Sequence, residues 1–206
     1  MKIKSLVSLG TAALLSMSVA TTAVAEDKVL LKLPVWFGTH LTGLGSSPLF
    51  FADTVNKASG GSVKVRIYEP GKLVATKEML ESVSNGSVNA GWGTPGYNTG
   101  LLGKKAAIFS AVPFGPEAPE FMAWVYYGGG RELWQKLYDD AGYNVHAVPC
   151  SIIAPETSGW FTKEINSVAD LDGLRMRFFG LGANVMEKLG VTTSLLAAGG
   201  DRKSVV

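Results

Sequence analysis

Residues 62–69 read Ser62-Val63-Lys64-Val65-Arg66-Ile67-Tyr68-Glu69, and this alternation decides how the chain is built. Val63, Val65 and Ile67 face one way while Lys64, Arg66 and Tyr68 face the other, the period of two of a half-buried strand. The turn Glu69-Pro70-Gly71-Lys72 closes it. Upstream, Val29 to Leu33 is a short apolar strand. Ser47-Pro48 then opens a helix, an N-cap Ser with Pro at the first helical position. Phe51, Val55 and Ala58 recur at helical spacing until Gly60-Gly61 stops the helix. Downstream, Thr76 opens a second helix with Met79, Leu80 and Val83 inward, and Asn85-Gly86 ends it. Val88 to Trp92 reads as a third strand. The order β-α-β-α-β is the grammar of an α/β protein with an open, mainly parallel sheet covered by helices on both faces.

Beyond this unit, Gly93 to Pro119 is loop-rich, with Pro95, Pro113, Pro116 and Pro119. Three consecutive glycines, Gly128 to Gly130, cost too much inside one helix. They predict two helices, about 117–127 and 131–140, joined by a tight bend. A strand over Tyr143 to Val148, a loop from Pro149 to Ser158 and a short helix at Val168-Ala169-Asp170-Leu171 follow. A strand from Leu174 to Phe178, a helix from Asn184 to Leu189 and a strand at Val191-Thr192-Thr193 complete the pattern. Ligands of open α/β sheets bind at the carboxyl ends of strands. The loops after Leu33, Trp92, Cys150 and Phe178 are therefore the places to look.

The N-terminus carries its own message. Met1-Lys2-Ile3-Lys4 is a basic head, residues 5–25 carry no charge, and Ala23-Val24-Ala25 precedes Glu26-Asp27. That is the form of a secretory signal peptide, residues 1–25, cleaved after Ala25. A transmembrane anchor fits less well, because Ser, Thr and Gly break the apolar run and a cleavage pattern closes it. No Cys follows the run, which argues against a lipoprotein anchor. Two of the 19 basic residues lie in this segment, leaving 17 against 17 acidic ones. Nothing in that balance resembles a nucleic-acid-binding patch. Cys150 is the lone cysteine, so no intrachain disulfide forms. An exported, disulfide-free chain points to the bacterial periplasm.

Catalytic chemistry is scarce. His40 and His146 are the two histidines, and neither is spaced with Cys150 or a carboxylate as a metal cluster. His146 and Cys150 share strand parity, but four residues along a strand span about 13 Å, too far for a nucleophilic pair. No G-x-S-x-G elbow and no P-loop occurs. The alternative of an exported α/β hydrolase acting on a small carboxylate therefore lacks a nucleophile and a base. Arg177 ends a strand and is followed by Gly180, Gly182 and Ala183. An Arg in that place can clamp a carboxylate with two parallel hydrogen bonds, or it is an ordinary surface residue. Glu156 sits in a loop between apolar segments, as a ligand or metal contact or as a solvated side chain.

Several blocks together carry a resemblance. Ala111-Val112-Pro113-Phe114-Gly115, Ala123-Trp124-x-Tyr126-x-Gly128-Gly129-Gly130, and Gly159-Trp160-Phe161-x-x-Glu164-Ile165-Asn166-x-Val168-Ala169-Asp170 resemble TRAP transporter substrate-binding proteins. So do Gly173-Leu174-x-Met176-Arg177 and Val185-Met186-Glu187-x-Leu189-Gly190-Val191. The nearest branch is that of the 2-oxoacid and monocarboxylate binders, often called mannitol/chloroaromatic-type receptors, and the likeness runs from about residue 29 to 201.

The resemblance implies a two-lobed periplasmic binding-protein fold of type II-like topology, with residues 26–148 as lobe I and 149–201 as the first part of lobe II. It implies a receptor without chemistry of its own, which passes a small monocarboxylate or 2-oxo acid to the membrane permease subunits of a TRAP transporter. A homodimer of the full-length protein and no organic cofactor go with it. Arg177 takes the carboxylate. Glu156 falls where the oxoacid branch has a Gln touching substrate and a bound cation, Na⁺ or Ca²⁺; the extra charge either favours Ca²⁺ over Na⁺ or marks a different ligand. Tyr97 lines the other wall, and Asn98 replaces a second Tyr of that branch. After Ala198-Gly199-Gly200-Asp201 the family continues, whereas residues 202–206 depart from its pattern. The expectation is a truncated second lobe.

Overall fold

The computed structural model of the chain describes residues 28–110, 112–153 and 157–194. The expected signal segment, residues 1–25, and residues 195–206, including the off-pattern tail, lie outside the described residues. The alternating strand is present: β2, Val63–Tyr68, pairs in parallel with β1, Val29–Pro34, in the register Leu31 to Val65 and Leu33 to Ile67. Between them runs α1, Ser46–Ala58. Leu33, Val65 and Ala52 of α1 form one buried cluster, with Phe51, Val55 and Trp92 packed around it. Each fully buried aliphatic side chain of this kind contributes about 1.5–3 kcal/mol.

Two local expectations are corrected in this half. Helix α1 begins two residues earlier than expected, at Ser46 rather than Pro48, with Gly45 in place of Ser47 as N-cap and no side-chain cap. Ser47 instead turns its hydroxyl back onto Gly43 O at 2.8 Å. The expected strand over Val88 to Trp92 shrinks to one parallel bridge between Val35 and Trp92. The rest of its pairing is taken over by a side chain. Lys32 N donates to Asn89 Oδ1 at 2.8 Å, and Asn89 Nδ2 donates to Leu30 O at 2.6 Å. The amide of Asn89 thus offers β1 the donor and acceptor that a neighbouring strand would offer.

The second expected helix begins as a 3₁₀ turn at Thr76–Glu78 and becomes α2, Met79–Ser84. The stretch read as loop after Gly93 is largely helical in short pieces. A 3₁₀ turn at Pro95–Asn98 runs into α3, Thr99–Leu102, and a further 3₁₀ segment spans Lys104–Phe109. The paired helices are as expected: α4, Ala118–Tyr127, and α5, Gly130–Asp140, with Gly129 between them at φ 83°. Only a residue without Cβ takes that angle at little cost. The Phe109 ring stacks between Trp124 and Trp134, at 5.5 and 5.4 Å, and closes a second core over Leu80, Leu102, Ala106 and Leu137.

Among the described residues, Tyr143 to Val148 joins no sheet. Tyr143 N donates to Tyr138 O, Asn144 N to Ser84 Oγ and Val145 N to Tyr143 O, and Gln135 of α5 bonds the segment further on. Gln135 Nε2 donates to Val145 O at 2.8 Å, and Ala147 N donates to Gln135 Oε1 at 3.0 Å. The remainder forms a second parallel unit. β3, Arg175–Arg177, pairs with β4, Thr192–Ser194, across α6, Gly180–Lys188. Helix α6 starts four residues before the expected Asn184, because Phe179, Gly180 and Gly182 continue directly from the strand end. The short helix at Val168–Leu171 is a 3₁₀ turn opened by a capping box between Ser167 and Asp170.

Candidate functional site

The carboxyl ends of β1 and β3 and the turn after Trp92 converge on one side chain, Tyr97. Trp36 and Phe37 follow β1 directly and are 6% exposed. Trp36 N donates to Trp92 O at 3.0 Å, which sets the Trp92 segment beside this strand end. The turn that carries Tyr97 is close-packed. A Cβ on Gly93 would lie 3.2 Å from the Trp36 ring, and one on Gly96 would lie 2.4 Å from Ser110. Gly91-Trp92-Gly93-Thr94-Pro95-Gly96 has the G-x-G-x-x-G spacing of a phosphate loop. Its last two glycines serve this packing, and the four-residue 3₁₀ turn that follows is no helix for a pyrophosphate.

Tyr97 is held on three sides by rings. Trp36 stacks on it at 5.0 Å and 17°, Phe37 meets it at 6.0 Å and 63°, and Phe179 meets it edge-on at 4.7 Å and 86°. Across this cluster Arg177 Nη2 donates to Tyr97 Oη at 2.8 Å. The Arg177 Cζ also stands 5.5 Å from the centre of the Phe179 ring. Both Tyr97 and Arg177 are half-buried. A guanidinium so placed presents a fixed fork of donors in an aromatic surround, which suits a carboxylate of small size.

Of the four residues singled out from sequence, the structure brings two together, Arg177 and Tyr97. Asn98 is the last residue of the same 3₁₀ turn and is half-buried; among the described residues its amide makes no hydrogen bond. Glu156 lies outside the described residues. Three residues that reading did not single out, Trp36, Phe37 and Phe179, complete the surround. Phe179 shares strand parity with Arg177, and Trp36 sits at the carboxyl end of β1, so period and topology contained both signals. Their residue type pointed to core instead.

The loop after β1 is tied to the turn after β2. The Glu69 carboxylate accepts the Thr39 backbone N–H at 3.3 Å and also the Thr39 hydroxyl. Among the described residues no three His, Cys, Asp or Glu side chains converge on a point that would hold a metal. The described acidic side chains therefore do not form a cation cage by themselves. The Cys150 thiol is pushed up from its ordinary value by burial, and its hydrogen is given to Val148 O at 3.4 Å; this is no activated nucleophile. A groove of about 750 Å³ between α1 and Pro149-Cys150 is lined by Phe50, Phe51 and Val55 and offers no cation for an anionic solute. No helix among the described residues is long and apolar enough to cross a membrane.

Residues 40–199 match the family of bacterial extracellular solute-binding proteins, family 7. The chain belongs to this family. It is 39% identical over 150 residues to a monocarboxylate 2-oxoacid-binding periplasmic protein of Nostoc sp., covering 72% of this chain and 40% of that protein. Among solved structures, a TRAP periplasmic solute-binding protein of Colwellia psychrerythraea with bound calcium and pyruvate is 33% identical, with a TM-score of 0.73. The alignment covers 84% of this chain and 52% of that one. A TRAP periplasmic solute-binding protein of Pseudoalteromonas atlantica with bound sodium and pyruvate is 31% identical, with a TM-score of 0.73 and the same coverages. The chain thus spans 40% of the curated relative and about half of these two solved proteins. The periplasmic binding-protein fold expected from sequence is the fold of these neighbours, and the family is one of solute receptors rather than enzymes.

Proposed function

We propose that this chain is part of a periplasmic receptor that binds a small monocarboxylate or 2-oxo acid and delivers it to the membrane permease of a TRAP transporter. The observation that carries this reading is Arg177 Nη2 on Tyr97 Oη at 2.8 Å, inside the rings of Trp36 and Phe179. A fork of donors of fixed orientation at the carboxyl end of β3 suits a carboxylate, and the surrounding rings suit a short apolar chain attached to it. Residues 26–148 make up the first lobe and 149–201 begin the second, with Arg177 on one and Tyr97 on the other. Solute binding bridges them, and the permease recognises the closed form. Residues 1–25 direct export and are cleaved off after Ala25.

Glu156 and Asn98 complete the solute site in this reading. Glu156 is also the candidate ligand for a cation taken up with the solute, since carboxylate oxygens suit a hard ion. The relatives of known structure with pyruvate hold sodium in one case and calcium in another, which supports the search for either. Calorimetry on the full-length protein with pyruvate and longer 2-oxo acids, in Na⁺ or Ca²⁺, tests the proposal. Micromolar or tighter binding is expected, and Arg177→Ala weakens it about 30- to 100-fold, a loss of about 2–3 kcal/mol. Unchanged affinity in Arg177→Ala would refute the site. Glu156→Gln is expected to reduce any preference for Ca²⁺.

A further inference from the structure

We propose that Phe179 and Trp36 are positioning residues of the solute site: they hold the Tyr97 hydroxyl on the Arg177 guanidinium. The inference deepens the receptor reading and rests on it for its binding readout. Tyr97 follows Pro95 and Gly96, both buried. The Cβ that Gly96 lacks would fall 2.4 Å from Ser110 and 3.6 Å from the Phe179 ring. The backbone beneath Tyr97 is thus pressed on Ser110, and its ring takes one face from Trp36 at 5.0 Å and one edge contact from Phe179 at 4.7 Å. Phe179 touches both partners of the hydrogen bond. Its ring centre lies 5.5 Å from Arg177 Cζ as well as 4.7 Å from the centre of Tyr97.

The chain path explains how one ring reaches both. Phe179 leaves β3 two residues after Arg177, on the same face. Its own backbone is extended, φ −141° and ψ 165°, and it caps α6. The helix start and the strand end therefore fix its position, and Phe178 N bonded to Ser194 O at 3.2 Å fixes it further. Trp36 comes from the other parallel unit and is buried, and among the described residues its Nε1 makes no hydrogen bond. It contributes a flat face and nothing polar. A phenol held between a face and an edge has few rotamers left, so its oxygen stays where the guanidinium meets it.

A double-mutant cycle on the full-length protein tests this, with solute affinity measured by calorimetry against pyruvate. Phe179→Leu is expected to weaken binding about five- to tenfold in the native background. In a Tyr97→Phe background, where there is no hydroxyl to position, the same change is expected to cost less than twofold. Phe179→Tyr and Trp36→Phe keep a ring in place and are expected to retain affinity within about threefold. Equal losses in both backgrounds would overturn the proposal, because a merely structural ring weakens binding whether or not the hydroxyl is there.

A second readout needs no solute. ¹⁵N spectra of the Arg177 Nη groups, assigned with Arg177→Lys, are expected to show two separate resonances in the native protein. These collapse towards one in Phe179→Leu and stay apart in Phe179→Tyr. Unchanged separation in Phe179→Leu, with a melting temperature close to native, would also overturn the inference. If the native protein binds no carboxylate, the receptor reading fails, and the Nη spectra alone decide the positioning role.

Discussion

Gly96 is the residue on which the site is most tightly wound. A methyl group there would stand 2.4 Å from both Cβ and Oγ of Ser110, closer than real contacts allow, and neither neighbour is a flexible chain end. Gly96→Ala is expected to lower stability by about 1–3 kcal/mol, the usual cost of overpacking, and to displace Tyr97 from Arg177. Thermal denaturation measures the first effect and pyruvate titration the second. The double variant Gly96→Ala, Ser110→Gly removes the obstructing atoms and is expected to recover most of the binding. If Ser110→Gly gives no recovery, the clash is elsewhere. The same residue scale shows what sequence could reveal. Arg177 was visible because it ends a strand beside Gly180, Gly182 and Ala183, where a guanidinium can clamp a carboxylate, and because the family resemblance singles it out over an ordinary surface Arg. Phe179 and Trp36 were not, because an aromatic residue in a strand pattern has a sufficient explanation as core. Which faces of those rings meet Tyr97 depends on how two parallel units come together, and no local pattern encodes that.

At the scale of elements, the alternation of Val63, Val65 and Ile67 gave β2 directly, since one buried face imposes a period of two. Val88 to Trp92 and Tyr143 to Val148 carry a similar apolar signal and are not strands. The difference lies in where backbone groups find partners, Asn89 in one case and Gln135 in the other, and hydropathy does not register that choice. Gln135→Ala is expected to cost about 1–3 kcal/mol, for two hydrogen bonds lost to Val145 O and Ala147 N. The Ala147 amide is expected to exchange with solvent faster, measurable by hydrogen–deuterium exchange. No change at Ala147 would mean that another group holds the segment. The capping box at Ser167 carries a pH signature. Asp170 is held below its ordinary value of 3.8, first by the Ser167 backbone N–H, then by the Ser167 hydroxyl and the Asn166 N–H. A depressed carboxylate stabilises the fold above its unfolded pKa, and that contribution is lost as pH falls through the lower folded value. The amide proton resonances of Asn166 and Ser167 are therefore expected to titrate below pH 3.8 and not in Asp170→Asn.

At the scale of the molecule, the parallel unit of β3, α6 and β4 meets the rest of the described chain at the candidate site. Arg177 and Phe179 reach Tyr97, and a Cβ on Gly180 would lie 3.6 Å from Ala107. In the proposed reading the groups that would recognise solute are the groups that join the two units, so that solute and the contact between the units would share one set of side chains. Tyr97→Ala removes the phenol from this junction and leaves a gap next to Trp36 and Phe179. It is expected to make the 157–194 segment more accessible, so that trypsin cuts at Lys163 and Lys188 several-fold faster while sites in the β1–β2 unit are cut at native rates. A saturating carboxylate is expected to slow cleavage at those two lysines in the native protein, since it adds contacts to Arg177 across the same junction. In Tyr97→Ala the protection should be much weaker. Uniformly faster cleavage along the whole chain would instead mean that Tyr97 supports global stability, and the coupling between solute and junction would have to be sought in other residues.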